Sequence, residues 1–213
     1  MGLSQDLLDA HGPSWKALTG HEFFRKIERG VLTEASRNAY FRYERAFVDQ
    51  AVVVFSYILA GATDLQARRR LISVLSGLVQ EQIDVFDDIF LRCGLQGQSH
   101  QTARWPAPVE ALCDGMTDIA RSGEYAAGLS AMFVAERSYL EVSRRICNAN
   151  ISDRALNEWF QIHTQKDFST SVQWIAQEID SLGEQGVSID RVAPAFSRAI
   201  DLEIDFHRAP LDI

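Results

Sequence analysis

Apolar positions along this chain recur at spacings of three and four, and no segment sustains the period-two alternation of a strand. The pattern predicts helices at about 19–30, 33–60, 64–93, 106–122, 124–148, 152–162, 164–182 and 187–207, with most Gly and Pro gathered between them. Thr33 and Thr164 stand as N-caps; Thr164 has Asp167 at N3 and a flanking staple of His163 and Phe168. Pro194 falls where the last helix begins and marks either a first turn or a kink. The stretch "GLQGQSHQTARWPAP" (94–108) reads as the main loop, and "GEQG" (183–186) as a tight helix–helix turn. No repeat, low-complexity tract or linker interrupts the series. The expected architecture is all-α, one helical-bundle domain over residues 1–213.

Three of these helices carry a carboxylate where the pattern calls for an apolar side chain. On 187–207, Glu203 lies within the stripe of Phe196, Ala199, Ile200 and Phe206. On 33–60, Glu44 lies between Tyr40 and Phe47, and on 124–148, Glu136 flanks Met132 and Tyr139. A carboxylate ionised and buried alone is costly, so each must be paired, neutralised or turned toward a polar cavity. One such residue is ordinarily satisfied by a nearby Tyr, Arg or helix end. Three of them, accompanied by Tyr40, Tyr43, Tyr139, His163 and His207, point to a shared polar pocket inside the bundle. A second acidic group, Glu81, Asp84 and Asp88, falls opposite or beside the stripe of Val74, Leu78, Val85 and Ile89. It reads as a solvated face and not as a metal site.

Composition narrows the classes. The 213 residues, 46% hydrophobic, suffice for one sizeable core. The balance of 29 acidic against 21 basic side chains, net -8, argues against nucleic acid or an anionic membrane as partner. The most apolar run, "AVVVFSYILAGA", has 12 residues and suits a buried helix, short of the roughly 18 of a membrane span. The N-terminus lacks the basic start and apolar run of a signal peptide. Cys93, Cys113 and Cys147 are odd in number and lack CxxC spacing, so neither disulfides nor a zinc site is indicated. A reduced, cytoplasmic protein without metal or other cofactor is expected.

The run "HEFFRKIERGVLTEASRNAYFRYERAFVDQ" resembles the opening of the TenA/THI-4/PqqC family, which has a heme-oxygenase-like fold. That opening is an "HPF", here with Glu22 for the Pro, then a "G-x-L" turn and a helix carrying Tyr and an acidic residue. "SGEYAAGLSAMFVAERSYLEVSRRI", "WFQIHTQKDF" and "AIDLEIDFHRA" are similar to three later family segments, and the match runs from about His21 to Ala209. The resemblance implies hydrolysis of aminopyrimidine fragments of thiamin for salvage of the pyrimidine half. It puts the family's proton-moving Glu at Glu203 and its pyrimidine-binding Asp at Glu44. Pocket tyrosines fall at Phe47, Leu112 and His163, and the nucleophilic Cys falls at Ala135, so the thiol route is absent.

"AERSY" instead resembles the TenA_E branch, which places a Glu beside that position and a Tyr three residues on, here Glu136 and Tyr139. The implied scheme has Glu44 bind the aminopyrimidine edge against Phe47 or Tyr139, with His163 assisting. Glu136 and Glu203 divide the general-base and general-acid roles. The resemblance also implies assembly as a homodimer or homotetramer. Two alternatives stand beside it. One is a ligand-binding member with a degenerate site. The other is a heme-oxygenase-like diiron oxidase built on Glu81, Glu136, His163 and Asp167, in which Asp88 and Thr170 replace two expected His ligands.

Overall fold

A computed structural model describes residues 2–95 and 104–213. The chain is all-helical, with no strand among the described residues. Its helices are α1 (Leu3–Ala10), α2 (Gly12–Thr19), α3 (Glu22–Glu28), α4 (Glu34–Gly61), α5 (Leu65–Gly77) and α6 (Ile83–Arg92). They continue as α7 (Ala107–Arg121), α8 (Tyr125–Asn148), α9 (Arg154–Ile162), α10 (Lys166–Glu184) and α11 (Ile189–Arg208). A π-helical turn, Leu78–Gln82, joins α5 to α6, and a 3-10 turn, Ala209–Leu211, closes the chain.

Helix α8 is the axis of the bundle, packed by α7, α9, α10 and α11, while α4 packs against α7. Residues 128–135 of α8 are all buried, the mark of a helix enclosed on every side. Close approach between helices depends on small residues. A Cβ at Gly115 of α7 would stand 2.6 Å from Leu202 Cδ1 of α11. The "G-x-L" turn is a helix stop: Gly30, at φ +66°, lets the Val31 N–H reach back to the Lys26 carbonyl at 2.9 Å. Thr33 then caps α4, its hydroxyl accepting the Ser36 N–H at 3.1 Å, as the sequence predicts.

Four expectations need correction. The first nineteen residues hold α1 and α2, whose eight-residue lengths and Gly12–Pro13 break hide their period. Pro13 sits in the first turn of α2, where its missing N–H costs nothing, and Leu7, Trp15 and Leu18 enter the core. The helix at 64–93 is not continuous. A stripe through Leu71 and Leu78 would continue at Val85, but the wide π turn advances the face by one residue. Phe86 is fully buried and Val85 only partly.

Thr164 is not an N-cap. Its hydroxyl donates back to the Gln161 carbonyl at 2.8 Å and its N–H does the same at 3.0 Å, so it belongs to the turn that ends α9. The N-cap of α10 is Gln165, although His163 and Phe168 do pack edge to face, centroids 4.8 Å apart. Of the two readings of Pro194, the first turn is excluded, because the residue lies inside α11, past its first turn. Most of the expected 94–108 loop lies outside the described residues; Gly94, at φ +66°, ends the helix before it.

Candidate active site

Glu44 on α4 is 3% exposed and Glu203 on α11 is 1% exposed, so both point into the bundle as their helical periods require. Glu136 is less enclosed and stands at a cavity wall. A hydrogen-bonded chain crosses the core to Glu44. The Tyr139 hydroxyl donates to Glu44 Oε2 at 2.6 Å, and Tyr40 Oη lies 3.0 Å from Tyr139 Oη. Trp159 Nε1, which can only donate, gives its proton to Tyr40 Oη at 2.8 Å. With the Tyr139 proton committed to Glu44, Tyr40 must donate to Tyr139. The chain therefore runs in one direction, from Trp159 through Tyr40 and Tyr139 to Glu44.

Two buried histidines frame this chain. His207 Nδ1 lies 2.7 Å from the Glu203 backbone carbonyl, so Nδ1 carries the proton and the bare Nε2 faces Tyr139 Oη at 3.4 Å. His163 Nδ1 is held in the same way by the Trp159 carbonyl at 2.8 Å. Burial lowers both imidazoles, His163 to about 4 and His207 to about 3, against the partial offset of those backbone bonds. Both are neutral at pH 7.

The carboxyls shift the other way. Burial lifts Glu44 to about 8, with the Tyr139 hydrogen bond opposing and Glu136 repulsion adding. Burial raises Glu136 to about 7, the mildest shift of the three and in keeping with its place at the wall. Glu203 is pushed well above the carboxylate range by burial, then by the charges of Glu44 and Glu136. Its contact of 3.6 Å with His207 Nδ1 is accordingly no ion pair, and its Oε1 has no hydrogen-bond partner.

Glu44, Phe47, Ala135, Glu136, Tyr139 and His163 line one cavity, so five of the six residues named from sequence share a wall. Glu203 does not line it and sits behind. Tyr43 is directed elsewhere, edge-on to Trp105 at 6.0 Å. The cavity measures about 30 Å³, room for a single water. Val48, Ala51, Leu78, Gln82, Met132 and Phe168 complete its wall. Sequence reasoning missed Gln82, because a polar residue beside Glu81 reads as solvated; Phe168 carried a signal as the ring partner of His163. No cysteine lines this cavity; burial pushes Cys113 up to about 12, and Cys93 and Cys147 are raised as well. Among the described residues, no group of three or more His, Cys, Asp or Glu converges as a metal site would require.

The architecture matches solved structures along its whole length. A TenA homologue from P. horikoshii OT3 superposes with a TM-score of 0.90 at 18% identity, covering 100% of this chain and 99% of that one. A TenA homologue from Pyrococcus furiosus gives 0.87 at 16% identity, covering 98% and 99%. A structure described as a putative TenA-like thiaminase from Sulfolobus solfataricus P2 gives 0.85 at 14%, covering 100% and 97%. These likenesses establish the heme-oxygenase-like fold. No curated protein matches the chain. The family model for TENA/THI-4/PQQC matches residues 8–212, and the chain belongs to that family.

Proposed function

We propose that this protein hydrolyses a C–N bond of thiamin-derived aminopyrimidines or formylaminopyrimidines, in salvage of the pyrimidine half. The observation that carries the reading is one cavity wall holding two carboxyls of raised proton affinity in unlike settings, Glu44 buried and hydrogen-bonded by Tyr139 and Glu136 at the more open side. An aminopyrimidine edge offers one N–H donor and one ring-nitrogen acceptor. A neutral Glu44 carboxyl answers both, donating its proton to the ring nitrogen and accepting from the amino group. Phe47 and the neutral His163 supply flat, uncharged faces beside it.

Glu136 is half-ionised near pH 7 and is the general base. It takes a proton from water as the water oxygen adds to the formyl carbon. The C–N bond then breaks, its electron pair stays on nitrogen, and a proton is delivered there to release formate and the amine. Glu203, held protonated with Oε1 free of protein partners, is the donor once a ligand opens the cavity toward it. Ala135 at the cavity wall agrees with a route that needs no thiol. The relative described as a putative thiaminase supports the reaction class.

The same reading has the protein cytoplasmic and assembled as a homodimer or homotetramer. Exposed Val53 and Tyr57 on α4 and Leu65 and Ile72 on α5 offer apolar surface for the contact. Among the described residues, no helix is long and apolar enough to cross a membrane. Formate and ammonia release from formylaminopyrimidine and aminopyrimidine tests the proposal. Turnover by wild type and its loss in Glu136→Gln are expected, and a wild-type protein inert toward both compounds overturns it.

A further inference from the structure

A second cavity of about 210 Å³ abuts the first. Leu78, Gln82, Glu136 and Phe168 line both, and Glu136 is the one titratable side chain among the four. Leu78 and Gln82 come from the π-helical turn, a geometry that recurs at functional sites. Ligand pockets usually enclose about 300–1,000 Å³. The inner cavity alone holds a water, whereas the two joined at this waist approach the low end of that range.

The walls of the outer cavity have a consistent chemistry. Ser73, Ser76 and Ser171 present hydroxyls, Glu81 and Asp167 present carboxylates, and no Lys, Arg or His lines it. Neither acid is in an ion pair among the described residues. The first turn of α10 offsets part of the Asp167 charge, but nothing comparable serves Glu81 on the π turn. The recess therefore favours donors and positive charge and repels anions.

We infer that the two cavities bind a single ligand end to end. The aminopyrimidine edge lies at Glu44, the bond to be cleaved lies beside Glu136, and a positively charged acyl arm on the exocyclic nitrogen lies in the outer recess. This rests on the proposed function and adds the substrate class: an N-aminoacyl aminopyrimidine, with acyl groups carrying carboxylate or phosphate rejected. The chemistry balances as for the formyl compound. Water adds to the acyl carbon, the C–N bond breaks toward nitrogen, and an amino acid leaves in place of formate.

The test is a matched series on one aminopyrimidine nitrogen, formyl, acetyl, glycyl and succinyl, followed by thermal shift and by initial rate. Glycyl is expected to exceed succinyl by about tenfold in kcat/KM at low salt, and about 0.5 M salt should narrow the gap. The exposed pair Glu81→Gln with Asp167→Asn should bring that ratio toward one. Equal or reversed preference in wild type, or an unchanged ratio in the double variant, overturns the inference. Turnover of the formyl compound with no charge discrimination leaves the proposed function standing and removes only the arm. Failure of all four to bind or react removes both.

Discussion

Glu44→Gln measures what it costs to hold a carboxyl inside this bundle. The Glu44 pKa stands near 8 in the folded protein, against 4.5 for the free side chain. Between those values the unfolded chain has released the proton and the folded chain keeps it. The folded state then binds more protons, so stability falls as pH rises through this window. Integration gives a loss of about 1 kcal/mol at pH 5, about 3 kcal/mol at pH 7 and nearly 5 kcal/mol at pH 9. Gln has the same size and no proton to lose, and its amide oxygen can still accept the Tyr139 hydroxyl.

Urea unfolding of both proteins at pH 5, 7 and 9 reads the difference directly. The variant should gain about 2.5 kcal/mol on wild type between pH 5 and 7, and about 1 kcal/mol more by pH 9. At pH 7 that gain is worth roughly 5–10 °C in Tm for a chain of this length. Other titrating groups cancel in the comparison, except for the repulsions of Glu44 with Glu136 and Glu203, whose relief has the same sign. A difference that does not change with pH, or that moves in wild type's favour as pH rises, refutes the reasoning.

Activity should follow a bell. Glu136 must lose its proton, near 7, and Glu44 must keep one, near 8, so kcat/KM should peak between these as macroscopic values and fall on either side. A monotonic profile from pH 6 to 9 would contradict these roles. His207→Asn tests the acid side. A neutral His207 near 3 in the folded state, against 6.5 unfolded, contributes stability above pH 6.5 that drains as pH falls, about 3 kcal/mol by pH 4. The variant should lose less than wild type between pH 6.5 and 4 in the same unfolding assay; an equal loss would mean that this imidazole protonates freely in the fold. Tyr139→Phe removes the donor to Glu44 and strands the Tyr40 hydroxyl, which should cost about 1–3 kcal/mol in urea unfolding. It should also move the alkaline limb of the rate profile upward, since that hydrogen bond holds the Glu44 pKa down; a limb that stays in place would show that the bond is not felt by Glu44.

Sequence alone determined the helical class, most helix positions and the inward direction of Glu44 and Glu203. All three follow from one local quantity, the period of 3.6 residues per turn, which assigns each side chain a face without reference to any other helix. It could not show that Glu203 stands behind the cavity wall or that His207 turns its bare nitrogen to Tyr139. Nor could it show that Gln82 borders the site, because a π turn, once present, moves every later residue to a different face. The donor chain ends in a bond between Tyr139 and Glu44, which are 95 residues apart, on helices α8 and α4. Their 2.6 Å separation, the size of the cavity and the raised proton affinities depend on how closely those helices pack and how much water they exclude. Periodicity fixes which way a side chain points; only the packing of distant segments fixes what it meets and how dry the meeting place is.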